Sequence, residues 1–271
     1  MSGVRDNFIR PELLGVFMGL GWAGKSLAPF FAVHAKHAHD FDGGVWFWDS
    51  GRAVEETSAS VWDMLAKWQA LRAVKVDRRR FEGGIVAPVQ RLSRLLDREG
   101  LCSLHDVADL DVRDRRRVLR EIHAAVMDVS ALKPTKAAEP MFGSKVLHHY
   151  FPSVVPVFDT AMVRRGVLRL HAFRAFAANG GREWHAFDDA TEAGGSAAFE
   201  FDQYMAFCLA QLHGASSKAL DGTRSAFAKD VRHFVPTGLW EDQESFVHAL
   251  DAKVAEFCLL GQAKREGLIG S

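Results

Sequence analysis

Six stretches of the chain share one apolar rhythm, with large nonpolar side chains three and four positions apart: Val61 to Leu71, Val86 to Leu96, Arg116 to Val129, Thr160 to Ala177, Phe199 to Leu212 and Phe246 to Leu260. That spacing gathers the apolar groups on one face of a 3.6-residue helix, and such a face is buried only by packing against another element. Segments with strand character are few, Val45 to Trp48 and Gly84 to Ala87, too little for a large sheet. The chain therefore reads as mainly α. With 271 residues, 48% of them hydrophobic, it can bury a substantial core as one large domain or two lobes. Loops are expected at 40–44, 132–139, 179–181, 194–195 and 214–221, where Gly, Pro, Ser and Asp gather. The stretch 178–198 is the best linker candidate. We read 1–271 as a single helical unit, with an N-terminal region 1–55 carrying a short strand and a helical core over 56–271.

Charge and composition narrow the classes. The 34 basic and 34 acidic residues cancel, so a nucleic-acid surface would have to be a local patch. No apolar run approaches the ~20 residues of a spanning helix, and the first residues lack signal-peptide organisation, so a soluble, cytoplasmic protein is expected. Cys102, Cys208 and Cys258 are odd in number, widely spaced and set in apolar segments, which reads as buried thiols in a reducing compartment. His34, His37 and His39 offer ligand atoms, but the first two share a helix face that the third does not, and no cysteine or acid cluster completes a tetrahedral site. No metal is expected.

Chemistry concentrates between Pro140 and Thr160. Gly143 and Ser144 read as a turn with Ser144 as N-cap, which sets Lys145 into the first turn of a short helix. The positive end of the helix dipole disfavours an ammonium there, and burial on the Leu147, Tyr150 and Phe151 side would push the same way, toward a nucleophilic amine. Pro152 and Pro156 then bring the chain round to Asp159, a carboxylate that opens the next helix. An amine and an acid, 14 positions apart, are thereby brought together. The plain alternatives are that Asp159 is only a cap and Lys145 a surface lysine.

These residues resemble a known family. Pro140, Gly143, Ser144, Lys145 and the following Val146 and Leu147 are similar to the hairpin of the helix-hairpin-helix DNA glycosylases, Pro-Gly-x-Gly-Thr-Lys-x-Ala, and Val155 to Thr160 resembles their Val-Pro-Val-Asp-Thr. Closer still, Ser144 to His148 followed by Pro152, Pro156, Asp159 and Thr160 resembles bacterial proteins with an 8-oxoguanine DNA glycosylase fold. Met141 stands where the classical hairpin has its first glycine, and Phe158 is inserted before the aspartate. The resemblance implies a two-lobed helical fold with Lys145 as nucleophile and Asp159 as essential acid in the cleft. It implies a glycosylase with abasic-site lyase activity, acting without a cofactor on duplex DNA that holds a damaged or modified base, an oxidised purine favoured. Such an enzyme is expected to be monomeric.

Around that pair, the backbone N–H groups at Gly143 and Ser144 are expected to hold a DNA phosphate, as helix N-termini do, helped by Arg164 and Arg165. Extruding a base from the stack calls for flat apolar walls, and Phe142, Trp184 and His149, which faces the same side as Lys145, are the candidates. Arg78 to Arg80 and Arg113 to Arg120 alternate with acids and read as solvated helix faces.

Two other classes compete. Gly19, Gly24, Lys25 and Ser26 match the phosphate-loop pattern G-x-x-x-x-G-K-[ST], but such a loop needs alternating strands and helices, whereas the chain beyond residue 50 is nearly all helical. A non-catalytic DNA-binding or defence-associated module of the same fold is the other.

Overall fold

The structure, a computed structural model, describes residues 6–19, 24, 27–33, 51–68, 71, 76–133, 139–179, 181–235 and 240–270. The phosphate-loop motif, the histidines from His34 to His39 and the strand candidate Val45 to Trp48 lie wholly or mostly outside them. Within them the chain is mainly helical: α1 Pro11–Met18, α2 Gly51–Lys67, α3 Arg78–Glu99, α4 Leu104–Asp109, α5 Val112–Ser130, α6 Pro140–Tyr150, α7 His171–Asn179, α8 Ser196–His213, α9 Ser217–Val231, α10 Trp240–Ala249 and α11 Asp251–Arg265. Residues 27–33 are helical too. No helix among the described residues is long and apolar enough to cross a membrane.

Local chemistry explains where several helices begin and end. Asp77 accepts the N–H of Arg80 at the start of α3, and Gly100, at φ 66°, supplies the left-handed residue that stops it. Ser103 and Asp106 cap α4 reciprocally. Gly84 to Ala87, expected as a strand, lies inside α3. Its short apolar run continues the helical face of Phe81, Ile85, Val89 and Leu92, and the longer period prevails.

Two long helices expected from spacing are broken. Thr160 to Ala177 becomes a π-turn over Thr160–Arg164, a 3₁₀ turn over Val167–Arg169, and α7. The break falls at Gly166, where a Cβ would lie 2.7 Å from Ile269 Cγ2, so the chain bends where the C-terminal residues press against it. Phe246 to Leu260 is likewise split at Leu250, whose ψ of 51° ends one helix before buried Asp251 starts the next. The loop expected over 214–221 ends early, because Ser216 accepts the Ala219 N–H and α9 starts at Ser217. Cys208 and Cys258 are buried thiols as expected, whereas Cys102 is exposed, its backbone held just before α4 by the Asp106 carboxylate.

Packing joins consecutive helices and segments far apart in sequence alike. α1 lies on α11, α2 on α3, α3 and α6 on α5, and α4 on α8. The stretch 181–195, within the linker candidate, is bound to its surroundings. Buried Arg115 donates to the carbonyls of Ala108, Leu110 and Glu183 and lies over the Trp184 ring, while Asp202 accepts from the Ala186 N–H and contacts His185. Tyr150, Phe151, Phe158, Phe201, Tyr204 and Phe207 are among the largest fully buried side chains, so the core runs directly beneath the 140–160 segment.

Candidate active site

Helix α6 starts earlier than its sequence suggests. Pro140 takes the first helical position after extended Glu139, a place where its missing N–H costs nothing and its fixed φ helps. Gly143 and Ser144 are then interior residues of the helix instead of a turn before it. Gly143 permits close contact: a Cβ here would sit 1.9 Å from the carbonyl oxygen of Val126 on α5 and 2.6 Å from Ser130 Oγ. Its N–H donates to Ser130 Oγ at 3.0 Å.

Ser144 does not cap α6. Its hydroxyl donates to the Met141 carbonyl at 3.2 Å and accepts the N–H of Phe158 at 3.1 Å. One turn on, His148 Nδ1 lies 2.7 Å from the Val155 carbonyl, which can only accept, so this nitrogen carries the proton. Ser144 and His148 share a helix face and together grip the chain that leads to Asp159. That is the physical reason for a serine and a histidine four apart around this lysine.

Lys145, between them, is the sixth residue of α6, beyond the first turn in which the dipole acts. Its Nζ donates to Asp159 Oδ2 at 2.5 Å. The other carboxylate oxygen accepts the N–H groups of Ala161 at 2.8 Å and Met162 at 3.2 Å, so Asp159 caps the π-turn while it pairs with the lysine. Burial pushes the Asp159 carboxyl upward, but the Lys145 ammonium and the two amides outweigh it and hold the pKa below the usual range. The Lys145 and Asp159 side chains are 14% and 24% exposed, so the pair is sheltered yet reachable.

The remaining candidates are not gathered here in the expected way. Gly143 and Ser144 are buried, with the Gly143 amide and the Ser144 hydroxyl engaged inside the protein, and present neither group to a phosphate. Arg164 reaches Glu200 Oε2 at 2.6 Å and lies over the Phe158 ring; Arg165 is exposed. The three proposed base-pocket walls are core residues. Phe142 packs on Phe81, His149 lies between Phe30 and Trp68, and Trp184 sits beneath Arg115 beside His213. Large aromatics are read as pocket walls or core with equal ease from sequence, and here burial decides.

The solvated helix faces expected at the arginine clusters carry ion pairs at four positions, whereas Arg115 is buried and bound to backbone carbonyls. Arg78 pairs with Glu82, Arg116 with Asp188, Arg117 with Glu99 and Asp114, and Arg120 with Glu192. Lys133 had no signal in the sequence, yet it stands over the Phe142 ring at 5.0 Å. Burial lowers its pKa, Glu139 opposes the shift and the nearby Lys145 charge adds to it. Among the described residues no cluster of three or more His, Cys, Asp or Glu side chains is placed to hold a metal ion.

A mainly helical protein with a sheltered lysine–aspartate pair is the class that fold and site define. Comparison with protein-family models, with curated proteins and with solved structures finds no match.

Proposed function

We propose that the protein is a DNA glycosylase with abasic-site lyase activity, built on a two-lobed helix-hairpin-helix glycosylase-like fold, with Lys145 as nucleophile and Asp159 as its acid–base partner. The observation that carries this reading is the 2.5 Å contact between Lys145 Nζ and Asp159 Oδ2 in a sheltered but open position, within the segment that resembles the glycosylases. The target nucleotide is extruded from the duplex, with unstacking costing on the order of a few kcal/mol. Asp159, as carboxylate, stabilises the positive charge developing on the sugar and accepts a proton from the Lys145 nitrogen as that nitrogen bonds to the anomeric carbon. The amine attacks the anomeric carbon, and the base leaves with the electron pair of the glycosidic bond. Ring opening gives a Schiff base, from which loss of a sugar proton expels the 3′ phosphate. Oxidised purines are the favoured substrates.

Borohydride trapping on duplex oligonucleotides carrying 8-oxoguanine, uracil, other lesions or an abasic site tests the assignment. A covalent adduct is expected with wild type and none with Lys145→Gln, at unchanged circular dichroism. An adduct that survives the substitution overturns it.

A second reading is favoured by the burial of Phe142, His149 and Trp184, which leaves no wall for an extruded base among those three. It is a DNA-binding or defence-associated module of the same fold without turnover. Biological activity unchanged in Asp159→Asn supports that reading.

A further inference from the structure

The chain from Val155 to Thr160 runs back along the helix that carries the lysine. His148 Nδ1 donates to the Val155 carbonyl at 2.7 Å, Ser144 Oγ accepts the Phe158 N–H at 3.1 Å, and Met141 Sδ accepts the Thr160 hydroxyl at 3.3 Å. As the chain advances, its partners retreat from His148 to Met141, and the contact of Lys145 with Asp159 falls within that antiparallel order. Met141 and Lys145, four apart, share one face of α6, while Ser144 and His148 share the next. Both residues that flank Asp159 are therefore tied to the helix. Ser144 also donates to the Met141 carbonyl at 3.2 Å, so a path of contacts leads from Phe158 through Ser144 and Met141 to Thr160, around the acid.

The other contacts of this stretch cannot set that register. The Ser153 carbonyl accepts the Leu104 N–H at 2.8 Å and the Ala252 N–H at 3.3 Å, the latter from the start of α11, which Arg224 anchors through Asp251 at 2.8 and 2.7 Å. These bonds fix the chain six residues before the acid. The amides of Ala161 and Met162 orient the Asp159 carboxylate, but they belong to its own turn and move with it. What locates that turn against Lys145 is the pair of flanking contacts. Ser144 is fully buried, and a hydroxyl is the small group that can accept the Phe158 N–H while donating to the Met141 carbonyl. Without it the Phe158 N–H is left buried and unpaired, and the backbone shifts to relieve that cost.

We propose that Ser144 and Thr160 are positioning residues for the Lys145–Asp159 pair, holding the chain on either side of Asp159 against α6 so that the carboxylate meets the amine. The proposal rests on the reading of Lys145 and Asp159 as the reacting pair. Ser144, buried within the protein, acts through Phe158 and not on the substrate. Losing its hydroxyl therefore slows the chemical step and leaves DNA affinity alone.

The test uses the full chain as wild type and as Ser144→Ala, Thr160→Val and Thr160→Ser. Valine keeps the branched shape without the hydroxyl, and serine keeps the hydroxyl without the methyl. Each protein is measured for the single-turnover rate of borohydride trapping on an abasic-site duplex, for affinity toward that duplex, and for hydrogen exchange at the Phe158 amide. Ser144→Ala is expected to bind DNA as wild type does, to exchange the Phe158 amide faster, and to trap about tenfold to a hundredfold more slowly, because misplacing a catalytic group by about 1 Å has effects up to that order. Thr160→Val is expected to show a smaller loss of rate, since a thioether is a weak acceptor, and Thr160→Ser to trap as wild type does. A wild-type rate in Ser144→Ala overturns the proposal, as does a loss confined to DNA affinity or an equal rate in the two Thr160 variants. If Ser144→Ala does not fold, the two half-buried Thr160 variants decide alone. Absence of any adduct in wild type sinks the enzymatic reading instead. The hold on Asp159 is then judged on Phe158 exchange, and protection unchanged in Ser144→Ala overturns it.

Discussion

Asp159 meets two conflicting demands, since it must remain charged while most of its surroundings exclude water, and the Lys145 ammonium with two backbone amides is what reconciles them. A carboxyl whose pKa is lower in the folded chain than in the unfolded one contributes stability that is complete above the unfolded value, about 3.9, and is lost as pH falls through the folded value. Asp159→Asn removes that dependence. The stability advantage of wild type over Asp159→Asn is expected to be level above roughly pH 5 and to shrink steadily as the solution is made more acid, since the native carboxyl titrates last. Urea denaturation at a series of pH values measures it. An advantage that grows toward acid would mean that the carboxyl is raised, and that burial overrides the pair.

The same residue marks how much of the site was legible in the sequence. Lys145, Asp159 and the 14-residue spacing between them could be read directly, because polar residues framed by prolines in an apolar segment need a reason to be there. The environment of Lys145 could not. Ser144 looks like a cap because serine usually is one, yet its hydroxyl bridges to Phe158, a contact set by the tertiary path of the chain. Phe142, His149 and Trp184 could serve equally as walls or core, and only packing chose.

At the scale of elements, α6 and α5 approach so closely that one position has no room for a side-chain carbon. Gly143→Ala would place a methyl 1.9 Å from the Val126 carbonyl, a backbone atom in the middle of a helix that cannot rotate aside. The helices must separate, and the Gly143 N–H to Ser130 Oγ bond is stretched or lost with them. A destabilisation of about 1–3 kcal/mol is expected, the usual range for overpacking. Because α6 carries Lys145, Ser144 and His148, borohydride trapping should weaken in the same variant even at temperatures where it is fully folded. Stability lost with trapping intact would show that the helix moves as a rigid body and takes the 155–159 chain with it. Helix existence and type were largely legible from apolar spacing, because 3.6-residue periodicity is a property of the chain itself. The breaks at Gly166 and Leu250 were not. The first arises where the chain meets Ile269, the second where Asp251 and Ala252 meet Arg224 and Ser153, and nothing in the local pattern announces either contact.

For the whole molecule, the organising fact is that the two ends of the described chain clasp each other. Gly261 on α11 faces α1, and a Cβ at that position would lie 1.9 Å from the Leu13 carbonyl oxygen. Phe17 and Phe257 meet alongside, with ring centroids 4.5 Å apart, and Cys258 Sγ reaches the Arg10 carbonyl at 3.7 Å. α11 also bears the Asp251 anchor and the Ala252 N–H that donates to the Ser153 carbonyl, so the helix that closes the core at one end supports the 151–159 chain at the other. If α1 is an integral part of this arrangement, Gly261→Ala should lower the cooperative unfolding midpoint of the whole protein. Forcing α1 away from α11 is expected to cost about 1–3 kcal/mol, and a chain of this size loses roughly 2–4 °C in Tm for each of them. Thermal unfolding followed by far-ultraviolet dichroism, with amide exchange read separately over residues 6–19 and 251–265, distinguishes the alternatives. A lower midpoint with exchange accelerated in both segments means that the ends form one cooperative unit with the core. Faster exchange confined to residues 6–19 at an unchanged midpoint means that α1 is an appendage, and that the support α11 gives the 151–159 chain does not depend on it.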